Sequence, residues 1–366
     1  MTNDTRLYET IKEILNNITK EDIQKIIDNQ PSLLSLNNDL ICDRINYLLG
    51  IGFTQEELLK VLKLNSSILT YTKEKIEGNI EFFQRLGYTK SSLLEMIKQT
   101  PAVLGYQLDR IASRIKYLQK EGFDLSSIRK ITTKESSVFR YSDEILEEKL
   151  NHFMELGYSR EDRNKIMKTS PMLLGYSKEK IDNKIKDLEE FGYTKDQVLK
   201  MTKLLPTIFS IQMDHIKRKL LFLNQLGFTK EDIIKISLTQ PQIFTYKEEK
   251  IIKKIKGLEE LGYDREKVIW MLKSLPSLFG FTMENIKDKI EFYRRIGIEE
   301  EVIEKPMRLM QSRELSEKRY EFLKREKNIT VGKNDFFRLF LSNKNFNEYY
   351  KITNKELLEE ETHHQK

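Results

Sequence analysis

Apolar residues recur along the chain at i, i+4 and i+7, which is the spacing of one helix face. Polar and charged residues fill the positions between them. Each such helix must bury its apolar face against a neighbour, so we predict a chain of packed amphipathic helices. The clearest rows are Ile111, Ile115 and Leu118; Ile181, Ile185 and Leu188; and Ile251, Ile255 and Leu258.

The helical pattern repeats every 35 residues. A fixed period of this length is typical of stacked helical repeats, in which each unit buries its apolar face against the next unit. Glycine marks the period, at Gly52, Gly87, Gly122, Gly157, Gly192, Gly227, Gly262 and Gly297.

Within a unit, the residues around the glycine predict a helix end and a helix start. Glycine favours the left-handed conformation that ends a helix. An aromatic residue follows in seven of the eight copies, and then an N-cap residue such as Thr54 or Thr89. Thr54 with Glu57, and Thr194 with Gln197, have capping-box spacing. We predict that a second helix of about a dozen residues begins there.

Proline stops that second helix and sets a short turn, which we predict to be a 3₁₀ element. Ser66 and Ser136 replace the proline in two copies. The unit is therefore a long helix, a second helix and a short turn. The prolines that share this position are Pro31, Pro101, Pro171, Pro206, Pro241 and Pro276.

The two ends of the chain depart from the repeat. Asn17, Ile18 and Thr19 resemble the glycine–aromatic–cap triplet, so a divergent unit is predicted at the start. After Gly297 the register is lost, and Pro306 is out of position. We predict helical repeats over 1–310, a terminal repeat and a helical cap over 311–355, and a frayed tail over 356–366.

Composition and motifs restrict the function. The 366 residues carry a net charge of +6, and with Cys42 as the single cysteine no intrachain disulfide can form. No run approaches 18 apolar residues, so no membrane span is expected. No metal-binding, nucleotide-binding or nucleophile motif is present, so we expect no enzyme, no cofactor and no metal site. Acidic residues near the start argue against a transit peptide, which predicts a cytoplasmic protein, or a mitochondrial or plastid one if a leader is missing.

A row of cations, which we call the first-helix basic row, lies eight residues before each glycine. Seven of the eight residues are basic and none is acidic, whereas composition alone predicts one or two basic residues. Stacked helices lie roughly 8–10 Å apart, so such a row suits a polyanion. We expect it to be exposed. Its members are Arg44, Arg114, Lys149, Lys184, Lys219, Lys254 and Lys289, with Asn79 as the exception and Arg319 in the equivalent place further on.

Other cations flank this row or lie on the second helix. Arg110, Lys180 and Lys250 stand one turn before members of the row and are candidates for further nucleic-acid contacts. Cations near the end of the second helix also complement the helix dipole, which is a structural explanation for them. The second-helix cations fall in two rows: Lys60, Lys130, Lys165, Lys200, Lys235 and Lys305; and Lys63, Lys98, Lys168, Lys203, Lys273 and Arg308.

The order of these signals (PxxL/F, aromatic, N-cap, apolar helix, LGY/F[T/S], apolar helix, proline) resembles the repeat of the mitochondrial transcription termination factor (mTERF) family. The resemblance covers roughly 17–325, and SEKRYEFLK resembles that family's terminal unit. It implies an all-α helical-repeat solenoid, a curved superhelix of about eight to nine three-helix units. It also implies a basic concave groove that binds nucleic acid, mostly double-stranded DNA, with RNA as the ligand of some relatives.

Four hypotheses remain open from the sequence. The first is a monomeric protein that binds double-stranded DNA and acts in transcription termination or another step of gene regulation. The second is an RNA-binding processing factor, the third is a scaffold for an acidic protein partner, and the fourth is a stable solenoid that binds no ligand. If the first-helix basic row is exposed, changing Lys184, Lys219 and Lys254 to Glu weakens nucleic-acid binding and hardly affects folding.

Overall fold

The computed structural model describes residues 3–352, and these form α-helices and short 3₁₀ helices with no β-strand among them. Within these residues, nine consecutive units each contain a first α-helix, a second α-helix and a 3₁₀ turn helix. The predicted all-α helical-repeat solenoid is confirmed. We number the α-helices α1–α20 and the turn helices η1–η10 in chain order. First helices have odd numbers, and second helices have even numbers up to α18.

The helix bounds follow the 35-residue period. The first helices are Asn3–Lys12 (α1), Asn38–Gly50 (α3), Lys73–Arg85 (α5), Leu108–Lys120 (α7), Asp143–Leu156 (α9), Lys178–Phe191 (α11), Met213–Gln225 (α13), Glu248–Glu260 (α15), Met283–Arg295 (α17) and Arg313–Glu326 (α19). The second helices are Lys20–Asn29 (α2), Gln55–Leu64 (α4), Lys90–Gln99 (α6), Leu125–Lys134 (α8), Arg160–Thr169 (α10), Lys195–Leu204 (α12), Lys230–Thr239 (α14), Arg265–Ser274 (α16) and Glu299–Ile303 (α18). The turn helices are Pro31–Ser35 (η1), Ser66–Thr70 (η2), Pro101–Gly105 (η3), Ser136–Arg140 (η4), Pro171–Gly175 (η5), Pro206–Ser210 (η6), Pro241–Phe244 (η7), Pro276–Phe279 (η8), Pro306–Met310 (η9) and Phe336–Phe340 (η10).

Local chemistry sets these bounds as predicted. All eight repeat glycines have φ between +76° and +123°. At Gly87 the following amide, Tyr88 N–H, donates to the Phe83 carbonyl at 3.1 Å, which closes the end of α5. Thr54 and Thr194 form the predicted capping boxes. The complete second helices have ten residues, slightly shorter than predicted, because the turn helix begins directly after one connecting residue.

The ends of the array show where the register changes. α1, α2 and η1 form a complete unit, so the predicted divergent first unit is confirmed. Near the other end, α18 has five residues, and this shortening brings Pro306 forward relative to Gly297. No second helix follows α19; η10 and the helix Asn343–Tyr350 (α20) come next. The tail predicted at 356–366 lies outside the described residues.

The chain divides into two compact units, Met1–Ser210 and Ile211–Lys366. This division does not test the domain boundary predicted after residue 310. In the first unit, each second helix packs on the next one, from α2 to α12, and η2 packs on η3 and η4 on η5. In the second unit, α14 packs on α16, α15 on α17 and α17 on α19. Like elements therefore stack on like elements within each compact unit.

The aromatic residue after the glycine contacts a residue of similar polarity in the next second helix. Tyr88 Oη lies 2.5 Å from Thr132 Oγ1 in the next second helix, and Tyr158 Oη lies 2.5 Å from Thr202 Oγ1. These hydroxyls are buried, and each threonine hydroxyl also donates to a carbonyl of its own helix. The tyrosine hydroxyl therefore needs the threonine oxygen as its hydrogen-bond partner. Where the aromatic residue is Phe123, the position equivalent to Thr132 is Met167. In these three pairs, a hydroxyl on one unit meets a hydroxyl on the next, or an apolar side chain meets an apolar one.

A second matched pair explains the one charged residue in an otherwise apolar position of the second helix. Arg163 replaces an apolar residue there and is 2 % exposed. Its Nη2 lies 3.0 Å from Glu121 Oε2, and Asn164 Nδ2 donates to the Glu121 carbonyl at 2.9 Å. Glu121 itself occupies a position that is apolar before every other repeat glycine. The two departures from the repeat therefore compensate each other.

We predict that Thr132→Val destabilises the protein by about 1–3 kcal/mol, because it leaves the Tyr88 hydroxyl buried without a partner. Adding Tyr88→Phe recreates the apolar pairing of Phe123 with Met167, so the double variant loses less stability than the sum of the two single variants. Urea unfolding followed by circular dichroism measures this coupling. Strictly additive losses would show that the two hydroxyls do not act as a pair.

Candidate nucleic-acid interface

The first-helix basic row is largely buried. Lys219 and Lys254 are each 3 % exposed, and Arg319 is 2 % exposed. Lys184 and Lys289 are also buried, while Arg44, Arg114 and Lys149 are half-buried. The expectation that this row is exposed is therefore wrong.

The buried cations donate hydrogen bonds to backbone carbonyls at the end of a turn helix. Lys149 Nζ donates to the Tyr176 carbonyl and Lys219 Nζ to the Tyr246 carbonyl, both at 2.7 Å. A helix end leaves carbonyls without intrahelical donors and carries partial negative charge. The cation supplies a hydrogen-bond donor and a positive charge to this helix end, and it links the first helix to the turn helix of the same unit. The same link joins Lys254 to Phe281, Arg44 to Leu69, Lys289 to Leu309 at 2.7 Å, and Arg319 to Leu339 at 2.7 Å and Leu341 at 2.6 Å.

Asn79, the uncharged residue of the row, also donates hydrogen bonds to backbone carbonyls at the end of a turn helix. Its Nδ2 donates to the Leu104 carbonyl at 2.7 Å and to the Tyr106 carbonyl at 3.1 Å. In the first unit Arg6 donates to the Leu34 carbonyl at 2.7 Å and to the Leu36 carbonyl at 3.1 Å. Arg6 was not among the predicted residues, because it lies one helical turn from the position that the 35-residue period gives. The position requires a hydrogen-bond donor, and this requirement explains its lack of acidic residues.

The remaining candidate residues on the first helices differ in exposure and in their partners. Arg114 forms an ion pair with Asp143. Arg110, Lys180 and Lys250 are exposed, as a ligand contact requires. Lys180 Nζ lies 3.4 Å from the centre of the Tyr176 ring, and Lys250 Nζ lies 3.7 Å from the Tyr246 ring.

In the row of cations nearer the end of the second helices, four members form ion pairs with a neighbouring unit. Lys63 pairs with Asp22 at 2.8 Å, Lys98 with Glu57 at 2.5 Å and Lys203 with Asp162 at 2.7 Å. Each acid lies on the preceding second helix. In the compact unit Ile211–Lys366, Lys273 and Asp232 form the same pair at 3.6 Å. These cations are therefore engaged within the protein.

The other row, which we call the second-helix lysine row, is exposed at Lys60, Lys130, Lys165, Lys200, Lys235 and Lys305. Lys60 pairs with Glu56. Lys130, Lys165 and Lys200 make no ion pair with any residue that the structure describes. They lie on α8, α10 and α12, which pack on one another in sequence. These three amines are accessible to a ligand.

The two kinds of helix also differ in charge. In the compact unit Met1–Ser210, α6, α8, α10 and α12 carry twelve Lys and Arg against four Asp and Glu. The first helices of the same units, α5, α7, α9 and α11, carry twelve against fourteen. Each described first helix also has an acidic residue at its second position. The second helices therefore offer a polyanion the more favourable surface.

Aromatic rings offer little surface for stacking bases. The aromatic residues that follow the repeat glycines are buried, apart from the half-buried Tyr263. Tyr71 lies against Gly105, where a Cβ atom would come within 2.3 Å of the ring, and Tyr176 and Tyr246 are covered by lysines. Trp270 is half-buried, with Lys267 Nζ 4.7 Å from its ring. The aromatic positions of the repeat therefore leave little ring surface exposed, and the exposed rings Phe337 and Tyr349 lie beyond the repeated units.

Comparison with known proteins assigns a family to this repeat. The family model described as mTERF matches residues 4–85, 72–225 and 212–333. No curated protein matches the chain. Among the described residues, no helix is long and apolar enough to cross a membrane, and no three His, Cys, Asp or Glu side chains group together to hold a metal ion.

We predict that Lys219→Glu destabilises the protein by about 3–5 kcal/mol, because it buries a carboxylate against the Tyr246 carbonyl. Lys217→Glu is the control, since Lys217 is exposed on the same helix and its replacement changes stability by less than about 0.5 kcal/mol. Urea unfolding compares the two variants. Equal small losses would mean that the buried amine does not hold the turn.

Stability is also expected to rise between about pH 8 and pH 10. Burial lowers the pKa of Lys254 from 10.5 to about 8. In this range the unfolded chain keeps the proton and the folded protein releases it, so a higher pH favours the folded state, by up to ~3 kcal/mol from this residue. Unfolding free energy is measured at each pH. The rise is smaller in Lys254→Met and unchanged in the exposed control Lys256→Met; an unchanged rise in Lys254→Met would contradict the assignment.

Proposed function

Because the chain belongs to the mTERF family, we propose that it binds double-stranded DNA along the second helices of the compact unit Met1–Ser210 and acts in transcription termination or another step of gene regulation. Proteins of this family are in general non-enzymatic and bind nucleic acid, which supports a nucleic-acid-binding regulatory role at the coarser level. The preference for DNA and the step in gene expression are the proposal.

The observation that carries this proposal is the excess of cations on α6, α8, α10 and α12. Twelve basic residues against four acidic ones lie on helices that stack in order. Lys130, Lys165 and Lys200 supply one exposed amine from each of three successive helices. Packed helices are separated by roughly 8–10 Å, so the amines form a ladder along which a phosphate backbone can lie.

The same surface favours a duplex over a single strand. Proteins that bind single strands stack bases on exposed aromatic rings. Here Tyr71 is packed on Gly105, and Tyr176 and Tyr246 are covered by lysines. Lysine is a point charge that contacts phosphates and does not read bases in the bidentate manner of arginine. The second-helix lysine row therefore suits binding to a duplex backbone with little dependence on sequence.

Exposed cations on the first helices add secondary contacts in this proposal. In the compact unit Met1–Ser210, Lys180 lies over the Tyr176 ring and can extend from it toward a phosphate, because lysine side chains are long and flexible. The buried members of the first-helix basic row have a structural role instead, through their carbonyl contacts.

The test is a triple variant in which Lys130, Lys165 and Lys200 are changed to Gln. Each phosphate contact contributes about 0.9 to the slope of log affinity against log salt, so the triple variant lowers that slope by about 2–3. Fluorescence anisotropy with duplex DNA, single-stranded DNA and RNA between about 50 and 200 mM salt measures the slopes. Circular dichroism checks that the fold is retained.

A matched control removes the same charge from the first helices. Lys73, Lys116 and Lys186 are exposed in the same compact unit, and their change to Gln leaves affinity and slope close to those of the unaltered protein. Equal losses in both triple variants would reject the second-helix surface. Tighter binding to RNA than to duplex DNA would favour the RNA-processing hypothesis. An absence of binding to all three nucleic acids at low salt would reject the proposed function.

A further inference from the structure

Two exposed arginines meet at the start of α7 and the end of η4. Arg110 Nη2 donates to the backbone carbonyl of Arg140, which holds the Arg110 side chain at the last residue of η4. Both residues are exposed, and neither forms an ion pair with any carboxylate in the described part of the chain. The nearest member of the first-helix basic row, Arg114, is already paired with Asp143. The Arg110 guanidinium is therefore held against the backbone of Arg140, whose own side chain is exposed and without an ion pair among the described residues.

Arg140 is unusual for its position. It is the fourth residue after the start of the turn helix, and the equivalent residues in the other turn helices from η1 to η8 are small and uncharged. They are Ser35, Thr70, Gly105, Gly175, Ser210, Thr245 and Gly280. Packing in the turn therefore does not require a cation at this position, and no contact within the described residues accounts for the Arg140 guanidinium.

The residue that precedes the N-cap of α7, Tyr106, has a phenolic hydroxyl without a partner among the described residues. Tyr106 Oη is buried and makes no hydrogen bond. In Tyr71 and Tyr141, which occupy the same position in other units, the hydroxyl contacts Ser67 and Ser137 four residues earlier. In the Tyr106 copy that residue is Ala102. Buried polar atoms in proteins are nearly always hydrogen-bonded, so the Tyr106 hydroxyl has an unused capacity to donate a hydrogen bond.

The two guanidinium groups act on this hydroxyl. Burial raises the pKa of Tyr106, and the charges of Arg140 and then Arg110 oppose that rise. Burial, followed by the charge of Arg110, lowers the pKa of Arg114. Both effects agree with a local excess of positive charge around the Tyr106 hydroxyl.

The start of α7 also differs from the other first helices of this compact unit. α3, α5, α9 and α11 are capped by side-chain oxygens of their N-cap residues, whereas Gln107 makes no such bond to α7. Amide groups at a helix start attract an anion through their hydrogens and through the helix dipole. Asp109 is exposed on this turn and pairs with neither arginine.

We propose that Arg110, Arg140 and the hydroxyl of Tyr106 form a phosphate-binding site beside the start of α7, and that this site anchors one backbone phosphate of the nucleic acid. The inference rests on the proposed function and deepens it, because it names a fixed point of attachment beside the mobile lysine contacts. A phosphate group has several acceptor oxygens, so it accepts hydrogen bonds from both guanidinium groups and from the hydroxyl together. Arginine gives this point a geometry that the lysines lack.

The test uses substitutions that the repeat itself contains. Arg140→Ser introduces the residue found at this position in η6, and Tyr106→Phe removes only the unpartnered hydroxyl. Arg140→Ser lowers the salt slope for duplex DNA by about 1, as expected when one phosphate contact is lost. Tyr106→Phe weakens binding by about 10–150-fold, the range of one hydrogen bond to a charged group. Neither change lowers the melting temperature.

Two matched controls separate a defined site from a general loss of charge or of a hydroxyl. Lys116→Ser removes an exposed cation elsewhere on α7, and Tyr71→Phe removes a hydroxyl that contacts Ser67. Both controls bind DNA as the unaltered protein does. If Arg140→Ser and Tyr106→Phe also bind unchanged while the unaltered protein binds DNA, the phosphate site is rejected and the proposed function stands.

A second measurement decides the case in which the protein binds no nucleic acid. Inorganic phosphate is added at constant ionic strength, with chloride as the comparison, and the melting temperature is recorded. A phosphate-specific rise that disappears in the Arg140→Ser, Tyr106→Phe double variant shows the anion site even if the proposed function has failed. An identical response of the unaltered protein and the double variant overturns the inference.

Discussion

The repeat depends on a hydrogen bond from a buried donor on the first helix to the carbonyls that end the turn helix. A 3₁₀ turn of four or five residues ends with carbonyls that have no donor within the turn. Here donors on the first helix reach these carbonyls, and those of Leu309 and Leu339 are buried together with their donors. Lysine reaches them from Lys149, Lys219 and Lys289, and arginine from Arg319. Because a buried unpaired carbonyl costs about 1–3 kcal/mol, a chain of nine units requires this donor almost without exception. The donor closes each unit, and closed units can then stack.

Stacking brings a second constraint, which is that neighbouring units must match. Tyr88 with Thr132 is a polar match, and Arg163 with Glu121 is an ionic one. Tyr158 with Thr202 is a second polar match. The positions equivalent to Arg163 in the other second helices are apolar, as are the residues before the other repeat glycines. Exchanging two units within the array would set a hydroxyl or a charge against an apolar side chain, at a cost comparable to that of an unpaired buried group. These pairs therefore help a nearly periodic sequence to adopt one order of contacts instead of several.

Most of the fold follows from local signals in the sequence. Glycine at positive φ, a Thr or Ser cap and a proline each act within a few residues, so their positions predict the helix bounds. The site was harder to predict, because a one-sided charge pattern arises equally from a surface that attracts an anion and from a buried position that needs a donor. Asn79 distinguishes these two explanations. An uncharged side chain can donate a hydrogen bond to a carbonyl as lysine does, but it attracts a phosphate poorly. Arg6 was unpredictable from the period, since α1 supplies its donor from a different turn.

The first and second helices of a unit use their cations differently: those of the first helix contact the turn, and those of the second helix remain exposed. The first helix uses its cation for the turn, and its opening turn carries an acidic residue that complements the helix dipole. This arrangement leaves little free positive charge on the first helices. The second helix needs no such internal donor, so Lys130, Lys165 and Lys200 remain in water.

Once the first-helix cations have supplied donors to the turn carbonyls, the exposed cations can vary from unit to unit without loss of folding. Lys130 belongs to that second set, as does Arg140, which stands in a turn where every other unit up to η8 has a small residue. Differences among units at such exposed positions are therefore where selectivity for a ligand can arise.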